Sequence, residues 1–257
     1  MLAGKTVIVT GAASGIGAET ARLVRAWGGR VIAVDRHQPM ASVDAFFAAD
    51  LSDKAAIEAL VQALPAGAHG LANIAGLPPT RPAAEVLRVN LVGLKHLTLR
   101  LVPKLADGAS IVNLASLAGL DWAEALPAVR ASADLDFDGV EAFCARHGIQ
   151  GARSYVFSKE ALIAWTHRNR WTWRDRGIRM NAVSPGPVET PILPDFIATL
   201  GARAEAEMAA MDRPGRPQDI APVVGFLLSD ASGWIRGANL PVDGGLHAHV
   251  LDRRHGL

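Results

Sequence analysis

The chain has 257 residues, half of them apolar, and balances 26 lysines and arginines against 25 acidic residues for a net charge of +1. That length and hydrophobicity suit one α/β domain with a single large core, and the near-neutral balance gives no field for gathering nucleic acid. The one cysteine, Cys144, has no intramolecular disulfide partner, which suits a reducing compartment and makes the cytoplasm the expected location. Residues 1–5 lead straight into the short apolar run Thr6–Thr10, too short for a signal peptide core or a membrane span, and no membrane association is expected.

Short β-branched runs alternate with longer alanine-rich stretches. The pattern predicts strands near 5–10, 30–34, 70–74, 109–115 and 178–183, with helices near 15–28, 53–63, 83–104 and 153–175. Val7-Ile8-Val9 and Ser110-Ile111-Val112 are apolar or small at consecutive positions, as expected for parallel strands covered on both faces. The expected fold is therefore a single-domain α/β, doubly wound, Rossmann-like parallel sheet.

After the first strand comes Thr10-Gly11-Ala12-Ala13-Ser14-Gly15-Ile16-Gly17. Glycines where a strand turns into a helix let backbone amides approach a pyrophosphate, which the positive helix end favours. An ordinary glycine-rich turn would read the same way. Asp35 ends the second strand, where a carboxylate can hold the hydroxyls of an adenosine ribose and repel a 2′-phosphate. NAD is thus expected over NADP, although the adjacent Arg36 is able to pair with a phosphate.

Residues 121–150 break the alternation with an acidic, alanine-rich stretch, read as an inserted helical or loop element. Next comes the chain's only tyrosine, Tyr155, followed at i+4 by Lys159. On a helix the two share a face, so the ammonium is expected to lower the phenol's pKa and fit it for proton transfer near neutrality. In isolation the pair also fits an ordinary amphipathic helix. The arginine- and tryptophan-rich run 168–176 offers stacking and phosphate contacts, but it is expected to continue the Tyr155 helix and to serve packing or a subunit interface. His247, His249 and His255 lie in a tail, 247–257, expected to fray or dock on a neighbour; no ligand set completes a metal site. No Gly-Lys-Ser/Thr follows the glycine loop and no Gly-x-Ser-x-Gly elbow occurs, against a P-loop hydrolase or an α/β-hydrolase.

Taken in order, Thr10-Gly-x-x-x-Gly-x-Gly17, Asn73-Ile74-Ala75-Gly76, Asn90, Ser116, Tyr155-x-x-x-Lys159 and Pro185-Gly186-Pro187 resemble the short-chain dehydrogenase/reductase family over residues 4 to about 245. The resemblance implies a nicotinamide-dependent oxidoreductase. Tyr155 would be its acid/base, Lys159 would hold the nicotinamide ribose, Ser116 would bond the substrate oxygen, and Asn90 would hold a water linking the lysine to solvent. It further implies cofactor contacts at Gly11, Ser14, Gly15, Ile16, Gly17, Asp35, Asp50, Leu51, Asn73, Ala75, Gly76, Tyr155, Lys159, Pro185 and Gly186. Val188 and Thr190 would meet the nicotinamide carboxamide.

Two departures stand out. Ile74 occupies the place of a second asparagine, and the spacing from Ser116 to Tyr155 is wider than in most members because of the 121–150 stretch. That insertion resembles the subgroup of 3α-hydroxysteroid dehydrogenase/carbonyl reductase and coniferyl-alcohol dehydrogenase, and implies a homo-oligomer, with a dimer favoured and a tetramer the alternative. Leu117, Leu120, Trp122, Pro187, Ile192 and Leu193 are candidate substrate-wall residues, joined by Ser116 and Tyr155, and point to a hydrophobic secondary or aromatic alcohol or its carbonyl partner. The segment from Ile192 to Met211 reads as a mobile lid or a surface helix. A catalytically idle NAD-binding regulator or scaffold is the alternative.

Overall fold

The computed structural model describes residues 1–201, 206 and 208–256. The described residues build a seven-stranded sheet in the order β3-β2-β1-β4-β5-β6-β7, every neighbouring pair parallel. The strands are β1 (Thr6–Thr10), β2 (Arg30–Asp35), β3 (Ala45–Ala48), β4 (Ala68–Asn73), β5 (Leu105–Leu114), β6 (Arg179–Pro185) and β7 (Asn239–Val242). The helices are α1 (Gly15–Ala26), α2 (Lys54–Ala63), α3 (Ala83–Leu87), α4 (Leu94–Leu101), α5 (Leu126–Ala131), α6 (Val140–Arg146), α7 (Ala152–Arg168), α8 (Leu193–Leu200), α9 (Pro217–Leu228) and α10 (Leu246–His255).

Because successive strand residues point to opposite faces, each consecutive apolar run feeds two cores. Ile8, Ile32, Val34 and Ile111 pack on one face with Ile57, Leu97 and Phe157 of α2, α4 and α7. Val7, Val9, Val31, Ala33 and Val112 pack on the other with Val24 of α1 and Val224 and Leu227 of α9. The strand order reverses between β1 and β4, which opens a crevice at the carboxyl ends of the strands.

β3, α9 and β7 are among the elements that escaped the sequence pattern. β3 is a four-residue, half-exposed edge strand that pairs only with β2, so its burial leaves no alternating signature. α9 carries Pro222 inside it, an unfavourable helix residue that tertiary packing tolerates here. β7, at the opposite edge, pairs only with β6.

The expected tail 247–257 is not frayed across its described residues. It forms most of α10, whose Arg254 lies 3.4 Å from Asp121; Leu257 lies outside the described residues. The predicted helix 83–104 is α3, a π-helical turn at Arg88–Gly93, α4 and a final 3-10 turn at Val102–Lys104. The predicted helix 153–175 stops at Arg168, where the Asn169 side chain donates to the Trp165 carbonyl at 2.8 Å and ends the ladder. The 168–176 run therefore does not continue α7.

The 121–150 segment contributes α5 and α6 and is sewn to the body by two buried or half-buried cations. Lys95 donates to the carbonyls of Ser132 (2.9 Å) and Ala133 (2.6 Å), while Arg88 reaches the Phe137 carbonyl and the Glu141 carboxylate. Its apolar side chains Val129, Phe137, Val140, Phe143 and Ile149 join the α2–α4–α7 core.

One close approach connects this frame to the crevice. The 3-10 turn Leu117–Gly119 lies on the backbone of α7, and a Cβ built on Gly119 would fall 2.5 Å from the Lys159 carbonyl carbon. Gly119→Ala should therefore push the Ser116 turn off α7, lowering the thermal midpoint measurably and impairing any reaction that needs Ser116 and Lys159 together. Differential scanning calorimetry beside a turnover assay checks it, and a variant with wild-type melting and turnover would contradict this packing.

Candidate active site

The crevice encloses about 490 Å3 between the carboxyl ends of β1, β2, β4, β5 and β6. Its floor depends on one hydroxyl. Thr10 Oγ1 accepts from the amides of Ile74 (2.9 Å) and Ala75 (3.1 Å) and donates to the Ala72 carbonyl at 3.4 Å, so the ends of β1 and β4 are stapled where the strand order reverses. Gly11 turns with φ +69°, and a Cβ there would stand 2.8 Å from the Ala75 backbone. At the neighbouring strand end the Asp35 carboxylate accepts from the amides of Ala13 and His37, each at 3.0 Å, fixing it against the glycine loop. Asp50, further along the same side, is half-buried; burial would raise its pKa, but hydrogen bonds from the Ser52 amide and hydroxyl and the nearby Arg36 hold it below the usual carboxylate range.

At the other end, α7 brings Tyr155 and Lys159 to the crevice one turn apart. Lys159 is 4% exposed. Its Nζ donates to the Leu114 carbonyl at the end of β5 (2.7 Å) and lies 5.4 Å from the centre of the Tyr155 ring. That is the only hydrogen bond of this ammonium among the described residues, so two of its three donors remain for the crevice. Burial pulls the Lys159 pKa down to about 8. Burial also pushes the Tyr155 phenol up to about 12, with the Ser116 hydroxyl offsetting part of the rise.

The proximity expected from the i, i+4 spacing is therefore present, but its expected consequence is not. Desolvation dominates, offset only in part by Ser116, and without a bound partner the pair rests as phenol and ammonium at neutral pH. Ser116 caps the turn that follows β5, its Oγ accepting from the Ala118 amide at 3.2 Å, and lines the crevice on the Tyr155 side.

Every glycine-loop residue singled out above lines the crevice, as do Asp35, Asp50, Leu51, Ala75 and Gly76. So do Pro185, Gly186, Pro187, Val188, Thr190, Ile192, Leu193 and Leu117. Four other candidates lie elsewhere. Asn73 sits beneath the crevice, 1% exposed, donating to Thr98 Oγ1 and Asn113 Oδ1 at 2.9 Å each; it ties β4 to α4 and β5 and does not line the crevice. Asn90, fully buried in the π-helical turn, clamps Leu77 from both sides: its Oδ1 accepts from the Leu77 amide (2.7 Å) and its Nδ2 donates to the Leu77 carbonyl (3.0 Å). Trp122 and Leu120 turn from the crevice into a side cluster with Leu162 and Ile163, where Trp122 meets the His167 ring at 5.6 Å. Wall positions not named singly from sequence are Val156 and, within the 192–211 segment read as a lid or a surface helix, Phe196, Ile197 and Met208. Phe196 packs edge-on to the Tyr155 ring with centroids 4.7 Å apart.

Comparison with known proteins settles the lineage. Residues 5–132 match the family model for short chain dehydrogenase, and residues 139–247 match a related model described as enoyl-(acyl carrier protein) reductase. The chain belongs to the short-chain dehydrogenase/reductase family. It is 40% identical over 248 residues to coniferyl-alcohol dehydrogenase of Pseudomonas sp. (strain HR199 / DSM 7063), covering 95% of this chain and 97% of that one. It is 30% identical to 3-alpha-hydroxysteroid dehydrogenase/carbonyl reductase of Comamonas testosteroni, covering 94% and 96%. Among solved structures, that of 3-alpha-hydroxysteroid dehydrogenase from Pseudomonas sp. B-0831 complexed with NADH superposes with a TM-score of 0.83 at 31% identity, covering 96% of this chain and 98% of that one. The chain is thus an oxidoreductase of this family, whose members bind a nicotinamide cofactor.

Its own residues fit such a group. The first turn of α1 has no side-chain cap and no acid, so its amides face the crevice as a site for an anion such as a pyrophosphate. The ammonium of Lys159 keeps donors for a ribose, and Asp35 is held at the far end. No helix among the described residues is long and apolar enough to cross a membrane, and no group of three potential metal ligands gathers there.

The buried ammonium also sets a stability expectation. Lys159 titrates near 8 in the folded chain against 10.5 for the free side chain. The folded state thus carries a desolvation cost that is fully present below about pH 8 and is relieved as pH rises from 8 to 10.5. Lys159→Met removes it. Denaturant midpoints measured across that window should rise with pH in the wild type and rise less steeply in Lys159→Met, with the variant no less stable at neutral pH; parallel curves would refute the assignment.

Proposed function

We propose that this chain is an NAD(H)-dependent dehydrogenase/reductase that interconverts a hydrophobic alcohol, ring-bearing and either aromatic or allylic or steroidal, with its carbonyl. The observation that carries this reading is the convergence of Ser116, Tyr155 and Lys159 on one end of a crevice whose other end holds the glycine loop and Asp35. When bound, the nicotinamide supplies the hydride acceptor or donor.

The chain's own groups do the rest. In reduction Tyr155, protonated at neutral pH, donates its phenolic proton to the carbonyl oxygen, and Ser116 donates a hydrogen bond that holds this oxygen in place. Lys159 stabilises the phenolate left behind and is oriented by the Leu114 carbonyl. In oxidation the roles reverse, and the phenolate form of Tyr155 takes the hydroxyl proton. Asn90 acts at one remove, by fixing Leu77 and with it the Gly76 loop beside Lys159. Apolar walls from Leu117, Val156, Pro187, Ile192, Leu193 and Phe196 exclude water and favour a hydrophobic substrate.

Asp35 supports NAD over NADP, because a carboxylate accepts hydrogen bonds from ribose hydroxyls and repels a phosphate; Arg36 lines the same end and tempers that preference. The names of the similar proteins support the substrate class, and the similar 3-alpha-hydroxysteroid dehydrogenase structure was solved with NADH. A cytoplasmic homodimer completes the reading, with the 121–150 segment held against the π-helical turn and α4 by Arg88 and Lys95. An idle NAD-binding scaffold would need a broken site, and Ser116, Tyr155 and Lys159 all face the crevice.

NADH formation followed with cinnamyl, benzylic and steroid alcohols tests the reading. Tyr155→Phe should lower kcat by about 10²- to 10⁴-fold and Ser116→Ala by about 10²- to 10³-fold. Equal turnover in Tyr155→Phe and wild type ends the catalytic assignment. Since Tyr155 must lose its proton to act as the base, oxidation should climb with pH through the alkaline range while reduction does not. Asp35→Ala should narrow the preference for NAD over NADP, and a wild type that binds NADPH more tightly than NADH overturns the cofactor assignment.

A further inference from the structure

Helix α8 stands across the substrate end of the crevice, and Leu193, Phe196 and Ile197 from it, with Ile192 at its N-cap, line that end. The opposite lip is the loop 77–81, whose Leu77, Pro78 and Pro79 also line the crevice. Among the described residues a single hydrogen bond joins the two lips: Thr80 Oγ1 donates to Asp195 Oδ1 at 2.7 Å. The loop is itself anchored, because Asn90 holds Leu77 through both backbone groups. One residue beyond Asp195, Phe196 meets the Tyr155 ring at 72° with centroids 4.7 Å apart, the edge-to-face arrangement that aromatic pairs prefer. A continuous physical path thus runs from the buried Asn90 through Leu77, Thr80 and Asp195 to the ring of Phe196 on the phenol.

We propose that Thr80 and Asp195 are positioning residues that latch α8 across the substrate end, and that the latched Phe196 is a specificity-determining residue selecting flat, ring-bearing substrates over small aliphatic ones. The latch stands on geometry alone; its effect on turnover rests on the reading of Tyr155 as the acid/base. Thr80 is exposed and its bond reaches water, so the bond biases the lid without locking it. A net contribution typical of one hydrogen bond corresponds to about a two- to tenfold shift between closed and open lid. Phe196 covers one side of the half-buried Tyr155 ring, so the same element that shapes the substrate space also shields part of the acid/base from water.

Hydrogen exchange of the 193–200 amides, measured on the protein with no cofactor or substrate added, tests the latch without using activity. Thr80→Val should speed exchange in α8 about two- to tenfold, Thr80→Val/Asp195→Ala should be no faster than Asp195→Ala, and Asp195→Asn, which keeps an acceptor oxygen, should exchange like wild type. Unchanged exchange in Thr80→Val, or additive effects in the double variant, overturns the latch. With cinnamyl alcohol, Thr80→Val should raise KM by a similar factor and leave kcat within about twofold. Phe196→Ala should shrink the preference for cinnamyl alcohol over 2-propanol about tenfold or more and move the alkaline limb of the oxidation profile to lower pH, because the phenol gains water. If neither moves, Phe196 is only a wall. Should Tyr155→Phe retain full turnover, the catalytic reading fails, while the exchange measurements still decide whether the latch exists.

Discussion

The structure turns on an ammonium buried between a helix and the end of a strand. Lys159 is held by a single backbone carbonyl, that of Leu114, in surroundings otherwise apolar enough to pull its pKa down to about 8. A charge under-satisfied by its own protein is costly to the fold and valuable to a ligand, since any hydroxyl that enters the crevice finds donors already desolvated. That position also requires α7 to lie against β5 and requires the Ser116 turn to ride directly on the helix backbone at Gly119. The placement of Tyr155, Lys159 and Ser116 is therefore one packing event.

A second constraint organises the opposite end. Parallel strands that diverge at the switch point leave backbone groups unpaired, and here Thr10 takes up two of the amides on β4's exit with one oxygen. This staple keeps the crevice open. The glycine loop then approaches Ala75 too closely for any side chain, and the uncapped start of α1 is left facing the opening. Charge is distributed to match: carboxylates at one end beside the loop, a cation at the other, and apolar walls beyond it.

The outer wall differs in kind from these interior devices. α8 reaches the crevice through apolar side chains but is joined to the facing lip, among the described residues, by one exposed hydrogen bond. Interior residues that hold the reacting groups and surface residues that hold the cover are thus served by different physics: desolvated hydrogen bonds in the first case, a marginal solvent-exposed one in the second.

The local patterns in the chain determined the doubly wound sheet and the residues of greatest chemical weight. Consecutive apolar residues in β1 and β5, set between longer helical stretches, suit strands covered on both sides, and the spacing of Tyr155 and Lys159 places them on one helical face wherever that helix goes. Short or half-exposed elements such as β3 and β7 were illegible because too few buried residues repeat to make a period, and α10 because its polar composition hides its packing.

Only the tertiary structure decided that Trp122 turns away from the crevice, that Asn73 works beneath it, and that Phe196 comes from a distant helix to cover Tyr155. It also reversed the expected direction of the Tyr155 pKa. Proximity along a helix is a property of the chain, whereas desolvation is set by everything that packs around the ring, and in this protein desolvation is the larger effect.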